Sequence, residues 1–262
     1  MSFTDLHHGP EPLLLPNAWD YASAAVLVAE GFPAIGTTSL GVAAAAGLPD
    51  GTGATRDETV ALARRLTRLP CHVTVDIEGG FSDDPGEVAA LGAELAALGV
   101  AGVNIEDGRD NVRLADPAQQ CALVAALKSA APGLFVNART DTHWLGTGED
   151  PLARVRAYAD AGADGVFVPG LTGETSIAAV VAAVDVPVNV LFSPAGPGLG
   201  RLRELGVRRV SCGSLLFRAA LEAVVRTVDA VASGHEIPPV PAYADVQALS
   251  SPGTAAAPRP PG

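Results

Sequence analysis

The side chains best equipped for chemistry in this 262-residue chain are carboxylates set in two short phrases. These are Asp76-Ile77-Glu78-Gly79-Gly80 and Asn104-Ile105-Glu106-Asp107-Gly108, and one arginine follows them in Asn137-Ala138-Arg139-Thr140-Asp141. Asp76 and Glu78 are two apart, so on an extended segment they point the same way. Glu106 can meet them if its segment runs alongside. Three oxygen donors without His or Cys describe a site for a hard cation, Mg²⁺ or Mn²⁺, with waters and substrate completing an octahedron. Arg139 beside this cluster either neutralises it or grips a substrate carboxylate through two parallel hydrogen bonds. The same residue types also build structural ion-pair networks, and spacing leaves both readings open. Asp107 and Asp141 read as loop or helix-capping residues.

The elements that must position these groups follow one rhythm. Short β-branched or apolar runs stand at 12–16, 34–38, 71–77, 102–105, 134–138, 165–168, 186–191 and 209–212. Ala/Leu-rich helical stretches alternate with them at 20–30, 55–69, 84–98, 117–131, 151–161, 175–184, 199–205 and 214–233. Alternating strands and helices of this number predict an α/β fold, a single-domain (β/α)₈ TIM barrel over 12–236. An N-terminal arm (1–11) precedes it and a Pro/Ala-rich extended tail (237–262) follows. A doubly wound sheet fits less well, because the first strand runs into Asn17-Ala18-Trp19-Asp20 instead of a glycine-rich GxGxxG turn. Glycine closes several helices, as in Ala29-Glu30-Gly31 and Ala97-Leu98-Gly99, which suits the left-handed position after a helix end. Barrel chemistry sits where strands end. That rule adds Asn17, Trp19, Thr38, Ser39, Leu40, Asp50 and Asn189 to the carboxylates and Arg139.

Composition narrows the function classes. Seventeen basic against 29 acidic residues leave a net charge of −12, so the chain lacks the basic stripe that nucleic acid or an anionic membrane surface requires. Lys128 is the sole lysine, which removes most Schiff-base chemistry. The three cysteines, Cys71, Cys121 and Cys212, form no CxxC pair, so neither a zinc cluster nor a disulfide framework is indicated. The start carries no basic and apolar leader, and no apolar run reaches the length of a membrane span. A cytoplasmic protein is expected. His7 and His8 read as solvated in the polar arm, His72 as packing at the far end of the barrel, and His143 and Trp144 as candidate pocket walls.

Taken together, Pro16-Asn17-Ala18-Trp19-Asp20, Gly36-Thr37-Thr38-Ser39, Gly47-Leu48-Pro49-Asp50-Gly51, Val75-Asp76-Ile77-Glu78-Gly79-Gly80, Asn104-Ile105-Glu106-Asp107 and Asn137-Ala138-Arg139-Thr140-Asp141 resemble the isocitrate lyase/phosphoenolpyruvate mutase superfamily. The resemblance spans about residues 12 to 233 and rests on the order of the motifs more than on any one of them. It implies a barrel that binds Mg²⁺ and a small 2-oxo or 2-hydroxy carboxylate, and that breaks or forms C–C or P–C bonds through an enolate. By position, Thr38, Ser39 and Leu40 match the segment that holds the substrate carboxylate. Asp50 matches an acid on the loop after the second strand. Asp76, Glu78 and Glu106 match the metal carboxylates, and Arg139 matches the arginine that contacts the substrate and stabilises the enolate. Trp19 and Asn189 are placed with the substrate-binding residues.

Departures from the family pattern limit the assignment. The Lys-Lys-Cys-Gly-His loop of the isocitrate lyases is replaced by Gly108-Arg109-Asp110-Asn111-Val112-Arg113-Leu114, and the histidine that phosphoenolpyruvate mutases carry after strand six is replaced by Pro169. The chain looks most like the shorter branch of the superfamily. The expected activity is a Mg²⁺-dependent lyase reaction, C–C cleavage or decarboxylation, on a small 2-oxo or 2-hydroxy dicarboxylate. P–C chemistry of the phosphonopyruvate hydrolase or phosphonomutase type is the rival, and a non-catalytic metabolite-binding barrel is the alternative from another class. The resemblance also implies a homo-oligomer, dimer or tetramer, that exchanges its last barrel helix. Leu215, Leu216, Ala219, Ala220, Ala223, Val224, Thr227, Val228 and Val231 form the apolar stripe that such an exchange would bury.

Overall fold

A computed structural model describes residues 1–250 of the chain. Its first barrel stave is made in two pieces, β1 (Leu13–Leu15) and β2 (Asn17–Ala18), on either side of Pro16. Proline has no N–H to give to a ladder, so the stave breaks there. The later strands are β3 (Ala34–Thr37), β4 (His72–Asp76), β5 (Gly102–Glu106), β8 (Phe135–Arg139), β9 (Gly165–Phe167), β10 (Val188–Leu191) and β11 (Arg209–Ser211). A small antiparallel hairpin, β6 (Gly108–Arg109) with β7 (Arg113–Leu114), caps the end of β5. The nine strands of the main sheet are parallel, in the lateral order β1-β11-β10-β9-β8-β5-β4-β3-β2. The two halves of the broken stave therefore hold the two ends of the sheet, which makes the sheet a (β/α)₈ barrel, as the sequence rhythm predicts.

Helices α1 (Tyr21–Ala29), α3 (Arg56–Leu66), α4 (Pro85–Ala97), α5 (Pro117–Ala130), α6 (Pro151–Asp160), α7 (Glu174–Ala183) and α8 (Leu199–Glu204) alternate with the staves. Three of them start with the same device. Asp84, Asp116 and Asp150 accept first-turn N–H groups while a proline, with no N–H to satisfy, fills the next position. Gly31, Gly99, Gly162 and Gly206 follow their helices at positive φ, as the sequence phrases indicate. Two helices are not legible beforehand. α2 (Ser39–Ala46) occupies the small-residue run after the second stave, and α10 (Tyr243–Ala248) interrupts the tail that reads as extended. Residues 251–262 of that tail lie outside the described residues.

Two apolar clusters fill the space between staves and helices, and a third seals the bottom of the barrel. The third corrects the reading of the N-terminal arm. His7 is buried, its ring stacked on Phe135 at 4.3 Å, with Phe3 edge-on to both rings. The turn Asp5–His8 packs these rings under the barrel because the short strands leave Phe135 and Leu15 uncovered. His7 is accordingly not solvated, and burial lowers its pKa to about 4. α9 (Leu215–Ser233) is the opposite case. Phe217 is its single buried residue, and Leu221, Val224, Val225, Val228 and Val231 are each more than half exposed.

Candidate active site

The carboxyl ends of the staves open into a cleft of about 680 Å³. Thr38, Ser39 and Leu40 line one wall, where α2 begins. Thr38 stands at its N-cap, so the first-turn N–H groups of this helix are offered to the cleft, as an anion requires. Asp50, Asp76, Glu106 and Arg139 line the same cleft, with Trp144 and Asn111 at its walls. The structure thus brings together Thr38, Ser39, Leu40, Asp50, Asp76, Glu106 and Arg139 from the sequence reading, and Asn17 and Trp144 line the cleft with them.

Arg139 leaves the end of β8 and is held from both sides. Its Nη1 lies 2.8 Å from Glu106 Oε2 and its Nε donates to Asp141 Oδ1 at 2.6 Å, while the Phe167 ring lies 5.7 Å from Cζ. Asp141 is in turn fixed by Asp107, whose Oδ1 accepts the Asp141 N–H at 2.8 Å. Asp107 Oδ2 accepts from the Tyr158 hydroxyl at 2.6 Å and from Arg154 Nη1 at 3.1 Å. Both acids lie in the loops just past β5 and β8, as the sequence reading has them, but they do more than shape a turn. Both are fully buried supports of Arg139, and they were missed because Arg154 and Tyr158 stand 47 and 51 residues from Asp107 in sequence.

Burial drives the titration of the cleft. It raises Asp76 from its ordinary 3.8 to about 6, against the lowering effect of Arg139 and the Glu78 N–H, with Asp50 and Glu78 adding to the rise. Burial also holds Glu106 well above the ordinary range, opposed by Arg139 and reinforced by Asp141 and Asp76. Arg139 moves upward, because three carboxylates outweigh its desolvation.

Three of the sequence-derived site residues lie elsewhere. Glu78 does not share the direction of Asp76. Its backbone sits at φ 49°, in the left-handed region that costs a non-glycine residue on the order of 1 kcal/mol, and the extended-segment argument fails there. Its Oε2 accepts the Gly53 N–H at 2.8 Å and its Oε1 accepts the Thr55 hydroxyl at 2.7 Å. Trp19 does not line the cleft; its ring meets Phe217 edge-on at 5.3 Å, under the start of α9. Asn189 is buried below the cleft, where its Oδ1 accepts from Ser211 Oγ at 3.0 Å. That sub-floor also holds Arg209, which points into the barrel and donates to Asn104 Oδ1 at 3.1 Å. Its burial lowers its pKa to about 9 despite the attraction of Asp76.

These positions decide what cation the site could hold. Among the described residues no group of three or more Asp, Glu, His or Cys side chains is arranged around one point, so the set Asp76, Glu78 and Glu106 is corrected. Glu78 is spent on a loop and Glu106 on Arg139. Asp50 and Asp76 remain, and Asp50 Oδ1 is buried with no hydrogen-bond partner. Mg²⁺ is commonly held by one or two carboxylates plus waters, so this pair fits it.

A parallel barrel with paired acids and a braced arginine at the carboxyl ends of its strands has the layout of an enzyme-type barrel. The chain belongs to the isocitrate lyase/phosphoenolpyruvate mutase superfamily: the family profile described as phosphoenolpyruvate phosphomutase matches residues 3–232. An uncharacterized protein of Mycobacterium tuberculosis H37Rv is 47% identical over 251 residues, 95% of each chain. A 2-methylisocitrate lyase of Bacillus subtilis is 32% identical over 242 residues, 86% of this chain and 78% of that one. An oxaloacetate decarboxylase of Bradyrhizobium is 32% identical over 201 residues, 72% and 69% of the two chains. A Burkholderia cenocepacia J2315 structure described as a candidate lyase/mutase superposes with a TM-score of 0.86 at 35% identity, covering 96% of this chain and 95% of that one. No helix among the described residues is long and apolar enough to cross a membrane.

Proposed function

We propose that the protein is a Mg²⁺-dependent carbon–carbon lyase acting on a small 2-oxo or 2-hydroxy dicarboxylate, and that decarboxylation of a 2-oxo dicarboxylate is its leading form. One observation carries this: Arg139, braced by Glu106 and Asp141, opens onto the same cleft as the first turn of α2 and the acids Asp50 and Asp76. The N–H groups of that turn hold the substrate carboxylate. Cleavage of the bond to the departing carboxylate leaves its electron pair as a C=C bond and puts negative charge on the former 2-oxo oxygen. Arg139 stabilises charge that exists only after the bond begins to break, which is how a fixed donor accelerates a reaction. Mg²⁺, held by Asp76 and Asp50, would supply Lewis-acid stabilisation at this oxygen.

Decarboxylation is favoured because neither Cys nor His lines the cleft, so the lyase acid of the longer relatives has no counterpart, whereas a carbanion formed by loss of CO₂ needs only a proton from water. The name of one relative, an oxaloacetate decarboxylase, supports the 2-oxo dicarboxylate class, and that of another, a 2-methylisocitrate lyase, supports lyase chemistry. P–C chemistry is less well supported. A phosphonate calls for several cationic donors, and Arg109 is turned aside to Asp83, Gln120 and the Glu106 and Gly108 carbonyls. The protein is further proposed to be cytoplasmic and a homo-oligomer whose α9 is covered by a second copy.

A panel of oxaloacetate, 2-methylisocitrate, 2,3-dimethylmalate and phosphonopyruvate with Mg²⁺, followed by pyruvate release, tests the reading. Turnover of a dicarboxylate is expected, oxaloacetate foremost. Turnover of phosphonopyruvate alone, or of none of the four, would overturn it.

A further inference from the structure

We infer that Glu78 is a positioning residue, the latch that holds the loop of residues 47–55 and so places Asp50 in the cleft, and that it is not a metal ligand. This rests on the proposed function only in supposing that Asp50 acts in the cleft. Between the end of α2 and the start of α3 the chain turns through Gly47, Gly51 and Gly53, all at positive φ, so its own backbone does little to fix its path. Beyond the neighbouring helix ends, three hydrogen bonds tie this loop to the rest of the described molecule. Asn111 Nδ2 donates to the Asp50 carbonyl at 2.9 Å, and Glu78 accepts from Gly53 N–H and from the Thr55 hydroxyl. The outer flank of the loop faces a second cleft, of about 460 Å³, so packing does not hold it there.

Glu78 is itself well anchored. Its N–H donates to Asp76 Oδ1 at 3.1 Å and its carbonyl accepts the Glu106 N–H at 2.9 Å. The latch therefore runs from the backbone between the two acids of the floor to the loop that carries the third. Both carboxylate oxygens are occupied, and the residue is buried to 2% exposure. Glu78 lines the second cleft and not the one that holds Asp50 and Asp76, so to ligate a cation there it would have to turn away from Gly53 and Thr55 and so free the loop bearing Asp50.

The two roles separate in a glutamine variant. In Glu78→Gln the amide oxygen can still accept the Gly53 N–H, and the NH₂ can donate to the Thr55 hydroxyl, so the latch survives the loss of charge. A ligand carboxylate does not survive it. Binding of Mn²⁺ to the apo protein, followed by electron paramagnetic resonance, needs no substrate. Glu78→Gln should keep its affinity within about 2-fold, while Asp76→Asn should lose at least 10-fold. Hydrogen exchange of residues 47–55 supplies the second readout: Glu78→Ala and Thr55→Val should each speed it at least 10-fold, and Glu78→Gln and Thr55→Ser should restore near-native protection. Thr55→Val keeps the shape of the side chain, which guards against a Glu78→Ala that fails to fold. A 10-fold loss of Mn²⁺ affinity in Glu78→Gln, or unchanged exchange in Thr55→Val, would overturn the inference. Neither result depends on which substrate the enzyme takes, so a failed substrate panel leaves the latch standing.

Discussion

Asp76→Asn should make the metal-free protein more stable at neutral pH, although it removes a residue placed at the heart of the cleft. Burial holds the Asp76 carboxyl at about 6 against an ordinary 3.8. Below about pH 4 the group is neutral in both folded and unfolded chains and contributes nothing. Between about pH 4 and 6 the folded chain keeps a proton that the unfolded chain has released, so stability falls as pH rises. Above about 6 the folded chain carries the full penalty. At about 1.36 kcal/mol for each tenfold change in proton affinity, the gap between 3.8 and about 6 amounts to ~3 kcal/mol. Asparagine is neutral and nearly isosteric, and its oxygen can still accept the Glu78 N–H. For a chain of this size ~3 kcal/mol corresponds to about 6–12 °C in Tm. Thermal melts of both proteins in EDTA between pH 4 and 8 should coincide near pH 4 and diverge upward for the variant through pH 6. Saturating Mg²⁺ should then raise the wild-type Tm and leave the variant's almost unchanged. A variant no more stable than wild type at pH 7 would refute the argument.

Three further outcomes follow from the geometry. Arg139→Lys should lower kcat/KM on the responsive dicarboxylate by about 10²-fold or more, because an ammonium cannot serve Glu106, Asp141 and a substrate oxygen together. Tyr158→Phe removes one charge-assisted bond to the fully buried Asp107 carboxylate and should cost about 1.5–3 kcal/mol in urea denaturation, with Arg154 still neutralising the acid. Light scattering at micromolar concentration should give a multiple of the 26.4 kDa chain mass, and Val224→Asp with Val228→Asp should return it to one chain; a wild-type mass of 26.4 kDa would exclude the covering of α9.

The barrel was legible in the sequence because each of its parts is a local pattern. Asp-Pro starts, glycine stops and short β-branched runs are set by residues a few positions apart, and buried parallel strands need little more. The cleft was legible to the extent that strand ends converge by topology, which is why Asp76, Glu106 and Arg139 could be grouped. Glu78 escaped because one left-handed residue turned it from the cleft, and period-2 reasoning assumes that no such residue intervenes. Arg209 escaped, and Asn189 was placed in the cleft when it lies below it, for a different reason. They face the barrel interior below the cleft, and nothing in an Arg-Val-Ser or Asn-Val-Leu strand says which alternate residue points inward until the register with its neighbours is known. The Ala-rich run after the second stave hid α2 because it has no polar face to give a helical period.

The stave broken at Pro16 gives the barrel a seam, and one side chain stitches it. Asn17 Nδ2 donates to the Thr37 carbonyl at 2.8 Å, and its Oδ1 accepts the Cys212 and Gly213 N–H groups at 3.0 and 2.9 Å. A side-chain amide thus does across the seam what a peptide group does elsewhere in the sheet, and Gly36 is kept bare beside it, since a Cβ there would lie 2.7 Å from Nδ2. The partners of that stitch are 195 and 196 residues apart, so it cannot form until the last stave exists. During synthesis the ring can be hooped shut only after Cys212 and Gly213 have been made, so closure of this barrel is a long-range step, of the kind that slows folding.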